Sequence, residues 1–372
     1  MESALITLRG IEDVAAKEVE ELIKVKSKTY PSFLVFSVKE KEQLYSLTYR
    51  SQTARKIITL ISVIEHKNEK YEVIIKKLLE KRNEERIKEI RDFKVTCVKE
   101  EYVSDTDSPD IATELGKQLL LLTDAKAELN DPKTHLIVFI TKTHALFGID
   151  LAGIDLAKRE YKVFTGNFAL KAPLAYALVR LANMDSKKKF LDPLCGAGII
   201  PIEAALFVTK KSMHFFGKNK LAFYENSSTH ALLEKLDKEE KPKADIWAIG
   251  DSFNHISWTK KNAKIAGVYD ALQYSRTEVY YLDAKFEGNQ FDAIVSYPPL
   301  LYKNSNEKKI KKLYHDLFDE SNFLLKKKGR LVLLVKQEKE FLEEAQRVKL
   351  SLLEKRKVFQ GQEELLILVF EK

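Results

Sequence analysis

Cysteine is nearly missing: the 372 residues hold two, Cys97 and Cys195, far apart and without C-x-x-C spacing. Neither a disulfide framework nor a zinc site fits that pattern, no metal site is expected, and a reducing compartment, the cytoplasm, is. Also missing is any run approaching the roughly 18–20 apolar residues of a membrane span. The amino terminus, ESALITLRGIEDVA, lacks a basic region followed by an apolar core. A chain neither secreted nor membrane-anchored is expected. No low-complexity tract and no repeat with a period of 20–50 residues is visible, which sets aside linkers and solenoids.

What is present suits a folded chain of more than one core. Hydrophobic residues make up 45% and charged residues 32%, too much of both for a disordered polymer. The length predicts two or three units at roughly 100–200 residues each. Net charge is +8 and the pI about 9.0, an excess of cations that suits a polyanion. Much of it is diluted, because the lysines of 66–90 alternate with glutamates as on a solvated helix face.

Periodicity divides the chain by texture. A strand at 4–10 leads into a helix at 11–25, where Ile11, Val14, Ala15, Val19, Leu22 and Ile23 recur at helical spacing. Strands are predicted at 32–38 and 56–64 with a helix at 42–56 between them. A strand at 93–98, a helix at 108–123 entered through Ser108 and Pro109, and two strands within 135–150 follow. The N-terminal part is therefore α+β. From about residue 186 strand, glycine turn and helix alternate, which predicts a mostly parallel, doubly wound α/β sheet closed by two antiparallel strands. The stretch 209–243 interrupts that rhythm and reads as an exposed insertion rather than a lid.

In such sheets ligands bind beyond the carboxyl ends of the strands. After KFL stands Asp192-Pro193-Leu194-Cys195-Gly196-Ala197-Gly198, followed by the helix IIPIEAAL. Its G-x-G lacks the third glycine of a dinucleotide fingerprint, Pro201 standing there, so the spacing alone equally describes a ligand-free turn. DIWAIG ends at Asp251-Ser252, a carboxylate able to accept both hydroxyls of a ribose. EVYYL, read as the third strand, ends at Asp283-Ala284, where a carboxylate can accept from an exocyclic amine. FDAIV ends at Ser296-Tyr297-Pro298-Pro299-Leu300, whose prolines fix the carbonyl directions as the chain leaves the sheet.

On these residues the chain resembles the THUMP-domain RNA methyltransferases, closest to archaeal-type tRNA guanine-N2 methyltransferases of the acceptor stem. DPLCGAGIIPIEAAL at 192–206 is the most specific match; ALITLRGIEDVAAKEVEEL (4–22), 93–153 and the connector 157–182 extend the likeness over nearly the whole chain. The resemblance implies an N-terminal ferredoxin-like segment at 1–65, a THUMP module at 66–156, a connector at 157–185 and a Rossmann-like methyltransferase domain at 186–372. It implies S-adenosylmethionine (SAM) as cofactor, held by Asp192, Pro193, Cys195, Gly196, Ala197, Gly198, Asp251, Ser252, Asp283 and Ala284. Ser296, Tyr297, Pro298 and Pro299 become the reaction loop. tRNA becomes the partner, with Lys94, Lys99, Lys158, Arg159, Tyr161, Lys162 and Lys171 on its backbone. A monomer is expected, and a small activating protein partner is left open. The family has Asn or Asp where Tyr297 stands and an aromatic where Leu300 stands, so two readings stay open: an active enzyme forming N2-methylguanosine, or a weak or inactive tRNA-binding paralogue.

Overall fold

The computed structural model describes residues 1–67, 69–100, 107–166, 170–238, 244–301 and 306–372. The chain divides into two compact units. The first comprises Met1–Thr7, Ala15–Leu156 and Gly217–Glu234; the second comprises Leu8–Val14, Ala157–Phe216 and Lys235–Lys372.

The elements up to residue 150 are β1 (Glu2–Ile6), α1 (Glu12–Ile23), β2 (Lys28–Tyr30), β3 (Phe33–Ser37), α2 (Lys41–Arg50), β4 (Lys56–Glu65), α3 (Tyr71–Glu80), α4 (Glu84–Glu89), β5 (Phe93–Lys99), α5 (Ser108–Leu122), β6 (Thr134–Ile140) and β7 (His144–Asp150). The strands form one seven-stranded sheet in the order β2-β3-β1-β4-β7-β6-β5. Alternation decides its faces: Leu136, Val138 and Ile140 of β6 join one core with α3, α4 and α5, while Ile137 and Phe139 join another with Ala4, Ile6 and Phe33. The expected boundary at 65/66 falls inside this sheet, because β4 runs to Glu65 and pairs antiparallel with β7. Helix α2 stops at Arg50 instead of continuing to 56. The buried Glu18 carboxylate accepts from Ser51 Oγ (2.6 Å) and the amides of Gln52 (2.8 Å) and Thr53 (3.1 Å), and those amides cannot also serve a helix.

The remaining elements are α6 (Ala172–Leu181), β8 (Lys189–Asp192), α7 (Ile199–Thr209), α8 (Ser228–Leu236), β9 (Asp245–Gly250), α9 (Phe253–Ala266), β10 (Gln273–Arg276), β11 (Phe291–Ser296), α10 (Glu307–Leu324), β12 (Leu325–Val335), α11 (Lys339–Arg347), β13 (Ser351–Gln360) and β14 (Glu363–Glu371). Their sheet has the order β10-β9-β8-β11-β12-β14-β13. The first five strands run parallel, and β14 is antiparallel to both its neighbours. Helix α7 is buried on every side except at Phe207, as expected for a helix apolar all round.

Two expectations are corrected here. EVYYL is not a strand: the third strand is β10, and Val279–Tyr281 forms a short 3-10 turn. Valine and tyrosine carry high strand propensity, but propensity needs a pleated neighbour to act on, and β9 pairs with 273–276. The insertion 209–243 is not a bland exposed loop either. Its residues 217–234 belong to the first unit, where Phe223 stacks on Tyr45 (4.8 Å) and the Ala222 amide donates to the Ala152 carbonyl (3.0 Å). Residues 239–243 lie outside the described residues. No helix among the described residues is long and apolar enough to cross a membrane.

Candidate functional site

Strand order reverses beside β8, with β9 and β10 on one flank and β11 and β12 on the other. A crevice beyond the carboxyl ends of β8 and β11 is therefore the expected site. A cavity of about 790 Å³ lies there, entirely within the second unit. Pro193, Leu194 and Gly196 form its floor, Gly250, Asp251 and His255 one side, and Thr277 to Tyr281 the next. Tyr297 and Pro299 face it from the loop after β11, and Lys309, Ile310, Lys312, Leu313 and Asp316 from α10.

The glycine turn is held from α9. Gly196 and Gly198 take φ of 52° and 83°, and a Cβ on Gly198 would stand 2.6 Å from the Thr259 side chain, so both backbone angle and space require glycine. Thr259 Oγ1 donates to the Gly196 carbonyl (3.1 Å) and Asn262 Nδ2 to the Ala197 carbonyl (2.9 Å). Cys195 is buried, its thiol 3.5 Å from Thr259 Oγ1 and pushed up by burial.

Asp192 is buried beneath the turn. One carboxylate oxygen accepts from the Leu194 amide (3.1 Å) and from Ser296 Oγ (2.9 Å), tying β8 to the end of β11 and the loop that follows it. Burial pushes this carboxyl up to about 7, against the pull of both hydrogen bonds. The other end of the loop is fixed as well, since the buried Tyr314 of α10 donates its hydroxyl to the Pro299 carbonyl (2.5 Å). Tyr297 lies between these ties and faces the cavity, whereas Pro298 is buried and Leu300 is only 8% exposed, in the core.

The strand-end carboxylates divide. Asp251 lines the cavity, paired with His255 Nδ1 at 2.8 Å. Ser252 is the cap of α9, its hydroxyl accepting from the His255 amide (3.2 Å). Asp283 and Ala284 are exposed and outside the lining; Asp283 stands near Glu320, whose carboxyl is raised to about 7 by burial first and by that charge second. The carboxylate following β10 that does line the cavity is Glu278. The strand that EVYYL suggests begins five residues beyond the start of β10, which is why the strand-end rule points to Asp283 and not to Glu278.

The connector cluster is also redistributed. Arg159 is buried, its guanidinium gripping both oxygens of Glu203 on α7 (2.9 and 3.2 Å), and the buried Tyr161 hydroxyl donates to the same carboxylate (2.7 Å). Lys162 donates to the Leu170 carbonyl (2.6 Å), and Lys171, half-buried, precedes α6. Of the five, only Lys158 is exposed. Arg159 and Tyr161 are thus core residues, not a phosphate-binding surface. In the first unit Lys94 is exposed and donates to the Leu129 carbonyl (3.1 Å), and Lys99 is half-buried.

The family described as "RMKL-like, methyltransferase domain" matches residues 159–367, beginning at the arginine that Glu203 holds. A tRNA (guanine(6)-N2)-methyltransferase of Methanocaldococcus jannaschii is 30% identical over 221 residues, covering 58% of this chain and 58% of that protein. Its counterpart from Archaeoglobus fulgidus is 26% identical over 366 residues, 95% of this chain and 87% of that one. The first match thus spans less than two thirds of its relative's length. The crystal structure of TrmN from Thermus thermophilus superposes with a TM-score of 0.71 at 19% identity, covering 100% of this chain and 99% of the other, a likeness of fold.

Proposed function

The chain belongs to the RMKL-like methyltransferase family, and from that premise we propose that it methylates the exocyclic N2 of a guanine in tRNA, using SAM. The observation that carries this reading is one cavity walled by the glycine turn, the strand-end carboxylates Asp251 and Glu278 and the Tyr297–Pro299 loop together. Its volume lies in the range of ~300–1,000 Å³ that small-ligand sites occupy. The donor set fits the cofactor: Asp251 accepts from the ribose hydroxyls, Glu278 accepts from the adenine amine, and Gly196 and Gly250 let the ligand approach the backbone. When bound, SAM supplies a methyl group on a positively charged sulfur that leaves as a neutral thioether.

Such a donor needs positioning more than a strong base. Tyr297 presents an edge or hydroxyl to the base, carbonyls of the Pro298 region accept from the N2 amine, and the displaced proton passes to water. The ties from Ser296 to Asp192 and from Tyr314 to Pro299 fix the loop between them. The first unit acts as the THUMP-type RNA-binding part, Lys94 and Lys99 adding phosphate contacts that read shape rather than sequence. By analogy with the two archaeal tRNA (guanine(6)-N2)-methyltransferases, guanine 6 is the target position. A cytoplasmic, monomeric enzyme completes the reading.

The purified chain, unmodified tRNA transcripts and SAM with a labelled methyl group should yield labelled N2-methylguanosine on nucleoside mass spectrometry. An unlabelled product pool sinks the reading. The inactive-paralogue alternative draws on Tyr297, where the family carries Asn or Asp. Leu300 sits in the core, so a larger residue there would overpack it. Tyr297→Asn alone is the test, and a silent wild type revived by that change favours the alternative.

A further inference from the structure

One wall of the cavity is left unused by this assignment. Tyr280 and Tyr281 stand on the turn after β10, 56% and 54% exposed, their ring centroids 5.1 Å apart at 73°. Across from them α10 presents Lys309 and Lys312, one helical turn apart. The Lys312 ammonium lies 4.8 Å from the Tyr280 ring centroid and pairs with Asp316 at 2.7 Å. All of these residues line the same cavity as Asp251 and Glu278.

Cations gain nothing from the cofactor's sulfonium, and half-exposed aromatics forgo burial worth about 25 cal/mol per Å². A cavity wall carrying both suits single-stranded nucleic acid, where bases stack on rings and phosphates meet flexible cations. We propose that Tyr280, Tyr281, Lys309 and Lys312 form the seat for the substrate RNA strand at the target nucleotide, a base stacking on the tyrosines while its phosphates meet the lysines. This deepens the methylation reading and rests on it. It also gives the stacking surface that the last position of the loop does not: Leu300 turns into the core, and the rings come from the turn after β10 instead.

The test uses the full chain with Tyr281→Ala and Lys309→Ala combined. Affinity for a short single-stranded RNA, followed by fluorescence anisotropy with SAM present, should fall about tenfold or more, as expected for one lost stack and one lost cation. The salt slope of binding should drop by roughly 0.7. SAM affinity by calorimetry should change less than about twofold. Photo-cross-linking of the same RNA to the wild type should label the peptide carrying Tyr280 and Tyr281. SAM affinity falling while RNA affinity holds overturns the proposal, because the wall would then serve the cofactor. So do both affinities falling, both staying unchanged, or cross-links confined to residues 1–156. RNA binding through this wall with no methyl transfer to tRNA would sink the methylation reading and keep the seat. Methyl transfer by the double variant at an unchanged KM for tRNA would sink the seat alone.

Discussion

Two lysine-rich segments of this chain, KREYK at 158–162 and KKIKK at 308–312, look alike on paper and end in opposite places. In the first, Arg159 and Tyr161 close over Glu203 in the core. In the second, Lys308, Lys309, Lys311 and Lys312 are exposed around the buried Tyr314. The difference is a carboxylate 44 residues away on a helix buried nearly all round. A guanidinium can leave water when a carboxylate meets it with two matched hydrogen bonds, and a point-charged ammonium does so far less readily. A basic run therefore says little about function until its anion has been located.

The largest way to break the comparison is Glu203→Ala, which removes the carboxylate that the buried Arg159 guanidinium and Tyr161 phenol both donate to. The expected loss is about 3–5 kcal/mol. Both tryptophans, Trp247 and Trp258, lie in the second unit, so urea unfolding followed by tryptophan fluorescence reads that unit directly. A loss below roughly 0.5 kcal/mol, the ordinary range of a surface change, would mean the connector is not anchored through this carboxylate.

A second carboxylate of the same 192–206 segment sharpens the contrast, because Asp192 is buried among neutral donors, a hydroxyl and an amide. Burial raises its folded-state value from the ordinary 3.8 to about 7. Across that window the folded chain keeps a proton that the unfolded chain has released. The group's contribution to stability is therefore complete below pH 3.8 and is lost as pH rises through about 7. Asp192→Asn carries no such proton, so its stability relative to wild type should climb between about pH 4 and pH 8. A flat difference across that range would refute the assignment of the proton.

Much of the second unit was legible because parallel strands are long apolar runs and their turns carry glycine. The strands at 189–192, 245–250 and 291–296 stand where their patterns put them. What stayed hidden depends on contacts distant in sequence. Glu18 ends α2 early from more than thirty residues away. Thr259 and Asn262 hold the glycine turn from α9, a helix whose sequence carries no sign of that task. Glu278 was within reach of the strand-end rule and was missed only because EVYY, rich in strand-favouring residues, drew the strand past it.

Returning to α10, its buried face should matter by a smaller amount. Tyr314→Phe keeps the ring on Phe341 (4.3 Å) and removes only the donor to the Pro299 carbonyl. One hydrogen bond of about 1 kcal/mol predicts roughly a fivefold fall in kcat with SAM affinity unchanged. An unchanged kcat in the phenylalanine variant would mean that the loop is not held by this bond.

The smallest effect belongs to the exposed face, and it tests whether the two basic segments differ at all. Lys309→Ala removes a side chain that lines the cavity, while the Lys309 amide keeps its bond to the Asn306 cap (3.1 Å). Alanine is at least as good a helix former, so urea unfolding should shift by less than about 0.5 kcal/mol. RNA affinity should fall all the same, because a lost phosphate contact weakens binding without touching the fold. If stability instead fell as it does for Glu203→Ala, the α10 lysines would be structural like Arg159, and the contrast between the segments would vanish.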